Sequence, residues 1–100
     1  MESKEVKIKI HGREYPCMIT LGAFLRYNHE TGKDTPEIAG NDITAMVTFL
    51  WCCTASTCND KKVDFDISLM DFADALTLDQ LEECKSNLEM SEKKTVSSRA

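Results

Sequence analysis

The first third of this 100-residue chain constrains the fold most, because residues 6–32 specify a hairpin that runs directly into one capped helix. Val6-Lys7-Ile8-Lys9-Ile10 alternates apolar and cationic side chains, the period of a strand with one buried face. His11-Gly12-Arg13-Glu14 supplies the turn, with Gly12 free to take a positive φ. Tyr15, Cys17 and Ile19 then share one face of a return strand. Thr20 is placed to cap a helix over Leu21–Thr31, and Gly32 stands where a left-handed terminator belongs. On that helix Leu21, Phe24, Leu25 and Asn28 form a stripe, with His29 pointing away from it.

The rest of the chain reads as helical. Lys33-Asp34-Thr35-Pro36-Glu37 breaks the pattern, since Pro36 disfavours an α conformation at Thr35, and residues 38–41 continue the connection. Asp42 or Asn41 can cap a second helix. Its apolar positions Ile43, Met46, Val47, Leu50 and Trp51 recur at helical spacing. Phe49, Cys52, Cys53 and Ala55 widen that stripe toward all-round burial, as in a central core helix ending near Ser56–Cys58. Val63–Ile67 alternates again, as a short strand or an extended linker.

Ser68-Leu69-Met70-Asp71 resembles a capping box, although Asp fits its last position less well than Glu. The helix behind it buries Leu69, Phe72, Ala73 and Leu76. Thr77-Leu78-Asp79-Gln80 repeats the start signal, and Leu78, Leu81, Cys84, Lys85 and Leu88 carry the last helix. Two start signals nine residues apart imply a short helix, a corner and another helix, with one continuous helix as the alternative. The expected architecture is α+β: an N-terminal β-hairpin packed on a small bundle of three to four helices, one domain over residues 1–88. Residues 89–100 are rich in Ser, Lys and Glu and are expected to be a mobile tail.

Charge is unevenly spread along the chain, whose net charge is −5. Residues 1–33 hold six Lys/Arg against four Asp/Glu, whereas residues 34–88 hold three against eleven. An acidic body repels phosphate backbones and fits either a solvated set of helix faces or docking onto a basic protein surface, so nucleic acid is not expected to be the target. The longest apolar stretch, residues 46–53, is too short to span a bilayer. No apolar segment follows Met1–Glu5, so no secretory signal is expected. Five cysteines, an odd number including the adjacent Cys52 and Cys53, argue against a disulfide framework and for a reducing compartment such as the cytoplasm.

Chemistry-bearing residues do not converge in the sequence. His11 sits in a turn and His29 on a polar helix face. Cys17 with His29 forms no recognisable nucleophilic signature. Cys52, Cys53 and Cys58 share a helix without histidines at ligand spacing, so no metal or cofactor is expected. The carboxylate pairs Asp64/Asp66 and Asp71/Asp74 lack the loop pattern of a calcium site. Phosphate-binding glycine loops are missing as well. The expectation is a non-enzymatic, protein-binding module. Its partner surface would lie on the helices from Ile43 to Leu88, carried by Asp71, Asp74, Glu82, Met46 and Met70, although Met46, Phe49, Trp51 and Met70 also fit a core. The expected strand Val6–Ile10 offers an alternative route, strand addition at an edge guarded by Lys7 and Lys9, and a homo-oligomer is a further option.

Several stretches together resemble the tail assembly chaperones of long-tailed bacteriophages and prophages. They are Ile8-Lys9-Ile10-His11-Gly12-Arg13-Glu14-Tyr15, the helix ending Glu30-Thr31-Gly32-Lys33-Asp34, the apolar helix around residues 46–53, and Asp64–Leu69 leading into Phe72–Leu76. The resemblance covers roughly residues 5–88. It implies a protein that holds the tape-measure protein soluble, helps recruit tail-tube subunits, and is absent from the finished virion. It also implies that a longer form can arise by ribosomal frameshifting, for which Lys93-Lys94 is a possible slippery site. The other readings are a small acidic adaptor or regulatory module of a mobile element, or a minor tail or connector subunit.

Overall fold

The computed structural model describes residues 6–34 and 43–87. In chain order these form β1 (Val6–Ile10), β2 (Arg13–Cys17), α1 (Leu21–Thr31), α2 (Ile43–Lys61), α3 (Leu69–Ala75) and α4 (Leu78–Asn87). The architecture is α+β, an antiparallel hairpin on four helices. The caps expected at Asn41 or Asp42, the connection over residues 35–41, Leu88 and the tail over residues 89–100 lie outside the described residues.

The hairpin is tighter than expected. Ile10 pairs directly with Arg13, so the loop is His11-Gly12 alone and Arg13-Glu14 already belong to β2. Both loop residues have positive φ, 52° and 81°, the conformation of a two-residue type I′ turn. Val6, Ile8 and Ile10 face the core while Lys7 and Lys9 face out. Pro16 stands opposite Lys7, a register at which a strand N–H points away from its partner, so proline costs the ladder nothing. The return strand does not reach Ile19. At Met18 the backbone changes partner, its N–H donating to Thr57 Oγ1 at 2.8 Å.

Helix α1 begins and ends at the expected residues. Thr20 Oγ1 accepts from the Ala23 N–H at 3.0 Å, and Gly32 at φ 82° donates its N–H to the Asn28 carbonyl. Its rotation differs from expectation. The buried face is Ala23 and Tyr27, with Phe24 half-buried, while Leu21 and Leu25 stand in solvent. Close approach to α2 selects that face, for a Cβ on Gly22 would lie 2.7 Å from Ser56 Oγ. Small residues let the helix backbones meet. Tyr27 and Phe24 then flank the Phe49 ring at 5.7 and 5.1 Å.

Helix α2 is the central element, packed by α1, β2 and α3. Met46, Phe49, Leu50, Cys52, Cys53 and Cys58 are all buried, although Ile43 at its start is exposed. The buried hydroxyls of Thr54 and Thr57 bond back to the carbonyls of Leu50 and Cys53. The helix also runs a turn beyond the expected end. Lys62 takes φ 61°, and the N–H groups of Lys62 and Val63 close onto the carbonyls of Asn59 and Cys58, a Schellman terminator built without glycine.

Residues 63–67 are the extended linker and not a strand; Val63, Phe65 and Ile67 turn inward between exposed Asp64 and Asp66. Trp51 Nε1 donates to the Ile67 carbonyl at 2.9 Å and holds the linker on α2. Phe65 lies edge-on between Tyr15 and Phe72. Ser68 caps α3 by accepting from the Asp71 N–H, and Phe72 is fully buried. Leu76 adopts an extended conformation and makes the corner. Thr77 and Gln80 then form a reciprocal capping box, the Thr77 hydroxyl accepting from the Gln80 N–H and Gln80 Oε1 accepting from the Thr77 N–H. Helix α4 buries Leu81 and Cys84 beside β1. Leu78 points outward instead of packing, because the corner turns the first residue of α4 away from the core. No helix among the described residues is long and apolar enough to cross a membrane.

Candidate protein-binding surfaces

The five thiols are core side chains. Cys17, Cys52, Cys53, Cys58 and Cys84 are all buried and free. Cys17 Sγ sits 4.0 Å from the Leu50 carbonyl, and Cys58 Sγ the same distance from the Pro16 carbonyl. A hydrogen bond between the Cys17 and Cys53 thiols, with burial added, pushes Cys53 far above the usual thiol range; the same bond holds Cys17 down against its own burial. Burial pushes Cys52 and Cys84 up to about 11, with Glu30 adding to the rise at Cys52 and Cys17 at Cys84. Burial likewise raises Cys58. His11 and His29 are exposed and lie on separate elements. Among the described residues no group of three or more His, Cys, Asp or Glu side chains is placed to hold a metal.

The residues expected to bind a partner divide into two sets. Met46 is 1% exposed and belongs to the core, held by the all-round burial of α2. Met70 is 72% exposed on α3, and Asp71 and Asp74 are exposed beside it. Glu82 is exposed on α4, 3.7 Å from Lys85 Nζ. Burial of Phe72 fixes which side of α3 faces out, so Met70 and Asp74, one turn apart, share the outer face. On α4, burial of Leu81 and Cys84 leaves Leu78 (61% exposed) and Glu82 in the same relation. Each helix thus presents an apolar side chain followed one turn later by a carboxylate. Asp71 on α3 and Asp79 on α4 are exposed as well, so each helix carries carboxylates around one exposed apolar side chain.

A second apolar surface was not legible from the stripe on α1. Leu21 is 82% exposed and Leu25 74% exposed. Leu25 forms a ridge between two shallow hollows. One, of about 460 Å³, is lined by Leu21, Phe24, Asn28 and Asp34; the other, of about 300 Å³, by Arg26, His29, Glu30, Trp51 and Ala55. The available signal was the pair of small residues Gly22-Ala23 with Tyr27 one turn on, which competes with the leucine stripe for the core.

The outer side of β1 faces Gln80, Glu83 and Asn87 of α4 across a groove of about 160 Å³. Helix α4 thus stands beside the edge of β1 at which a strand would add.

No family model, curated protein or solved structure matches this chain.

Proposed function

We propose that this chain is a non-enzymatic tail assembly chaperone of a long-tailed phage or prophage, acting in the host cytoplasm to hold the tape-measure protein soluble and to help recruit tail-tube subunits. The observation that carries the reading is that exposed Met70 on α3 and exposed Leu78 on α4 each precede a carboxylate by one turn. A long helical partner with apolar and basic residues on one face is complementary to these residues. Met70 and Leu78 would cover apolar side chains of the partner helix. Asp71, Asp74, Asp79, Glu82 and Glu83 would pair with its basic flanks and speed encounter through long-range attraction. Such a contact needs no reacting group, in keeping with thiols locked in the core. The sequence resemblance supplies the identity of the partner, and the exposed apolar and acidic side chains supply a physical means of holding it.

The test is co-expression with the longest open reading frame of the gene neighbourhood, followed by size exclusion. A chaperone makes the long protein soluble and co-elutes with it. Detection of this chain in purified virions would instead identify a structural tail subunit.

A further inference from the structure

The hairpin and α1 are joined to α2 by polar bonds as well as packing. Thr20 meets Ser56, the Met18 N–H donates to Thr57, and the Cys17 and Cys58 thiols lie on the carbonyls of Leu50 and Pro16. Residues 63–87 are joined by other means. Their two helices are closed by local hydrogen bonds, the Ser68 cap and the Thr77/Gln80 box. Apolar side chains seat them: Phe65 edge-on to Tyr15, then Phe72, Leu81 and Cys84 in the core. Between α2 and Ser68 the backbone runs extended, clasped where Trp51 Nε1 donates to the Ile67 carbonyl. Helix α4 also stands at one edge of the sheet. Ile10 pairs with Arg13 across the two-residue loop, so the Lys9 backbone N–H and carbonyl point away from β2. On that side Val6–Lys9 share a groove with Gln80, Glu83 and Cys84 of α4.

We propose that residues 63–87 are a lid on the β1 edge. They open as one unit about the extended linker, with the Trp51–Ile67 bond as the clasp, while the hairpin, α1 and α2 stay folded. Closed, the lid is an autoinhibitory contact that keeps the edge from pairing with an extended segment. Opening gives up the burial of Phe65, Phe72, Leu81 and Cys84 and one hydrogen bond. The Phe24–Phe49–Tyr27 cluster and the bonds from the hairpin and α1 to α2 are untouched by that motion. The lid therefore opens at a lower free energy than global unfolding requires, as a cooperative unit of its own. This behaviour belongs to the chain alone and needs no partner.

Cys84 is a built-in reporter, since it lines the groove from the lid side, whereas Cys17, Cys52, Cys53 and Cys58 are buried in the part that stays closed. The experiment is maleimide labelling of the purified whole chain, read by peptide mass mapping. All five thiols react slowly, with Cys84 ahead of the other four by about tenfold or more. Trp51→Phe speeds Cys84 roughly fivefold, the worth of one hydrogen bond. Phe24→Ala, which loosens α1 on α2, speeds the other four and leaves Cys84 at its wild-type rate. Labelling of all five at one common rate, or a Phe24→Ala variant in which Cys84 accelerates with the rest, overturns the lid. Amide exchange of the chain carrying a bulky maleimide on Cys84 tests what opens. Protection is lost in α4 and kept at Ile8, at Ile10 and through α2; its loss throughout, or its retention in α4, overturns the proposal.

Discussion

Thr20 Oγ1 and Ser56 Oγ lie 2.7 Å apart, one hydroxyl pair joining the cap of α1 to the C-terminal half of α2. Thr20 also caps its own helix, so a single side chain starts α1 and docks it. Next to this pair, Gly22 allows the close approach that turns Ala23 and Tyr27 inward and leaves Leu21 and Leu25 outside. The exposure of Leu21 and Leu25 is thus a consequence of how α1 meets α2.

Gly22→Ala tests that contact. In an open helix the change stabilises by about 1 kcal/mol. Here the new methyl meets Ser56 Oγ, and a destabilisation of roughly 1–3 kcal/mol is expected from overpacking. The midpoint of urea unfolding should fall, and adding Ser56→Ala should recover part of the loss. A rise in the midpoint with the single substitution would contradict the close approach.

Lys62→Gly should do the opposite. Lys62 holds φ 61° at the end of α2, a conformation that costs a side-chain-bearing residue about 1 kcal/mol relative to glycine. Glycine keeps the two terminating hydrogen bonds and should raise stability by roughly 0.5–1 kcal/mol in urea unfolding. An unchanged or lowered midpoint would show that the terminator does not need the left-handed residue.

Local signals account for what the sequence made legible. The hairpin alternation, the Thr20 and Ser68 caps, Gly32 and the Thr77/Gln80 box are each decided within a few residues, and each forms as read. Choices settled by distant contacts were not legible. The rotation of α1 depends on Ser56, 34 positions after Gly22 in the chain. The end of β2 depends on Thr57, whose hydroxyl takes the Met18 backbone from the ladder. The extra turn of α2 has no glycine to announce it. Of the residues expected to meet a partner, Met70, Asp71, Asp74 and Glu82 are exposed. Met46 follows its helical stripe inward, as the apolar spacing of α2 equally allowed.

Removing the Thr77/Gln80 box should loosen the corner before α4. Thr77→Ala leaves the Gln80 N–H without its acceptor and should cost about 1 kcal/mol. Amide exchange in the first turn of α4 should quicken, with little change in α1. Uniform acceleration across the molecule would argue against a local cap.

The buried thiols predict an alkaline limit to stability. Cys52 and Cys84 ionise at about 11 in the folded chain, against an ordinary thiol value of 9.0. Above the ordinary value the unfolded chain loses these protons first, so the protonated folded state is progressively disfavoured. Their contribution is complete below pH 9 and is lost as pH rises toward 11. Native-state labelling with a thiol reagent at neutral pH should be slow at all five cysteines and should accelerate in urea. Fast labelling of a single site would identify an accessible thiolate that the packing does not provide.

Co-expression with the longest protein encoded in the gene neighbourhood measures directly whether the exposed carboxylates of α3 and α4 hold a helical partner, as we propose. The wild-type chain should render the long protein soluble and co-elute with it. The Asp71→Lys/Asp74→Lys/Glu82→Lys variant, folded by circular dichroism, should leave it insoluble. Co-elution undiminished by the three charge reversals would contradict the assignment of these carboxylates, and an insoluble long protein beside a wild-type chain eluting alone would contradict the chaperone function itself.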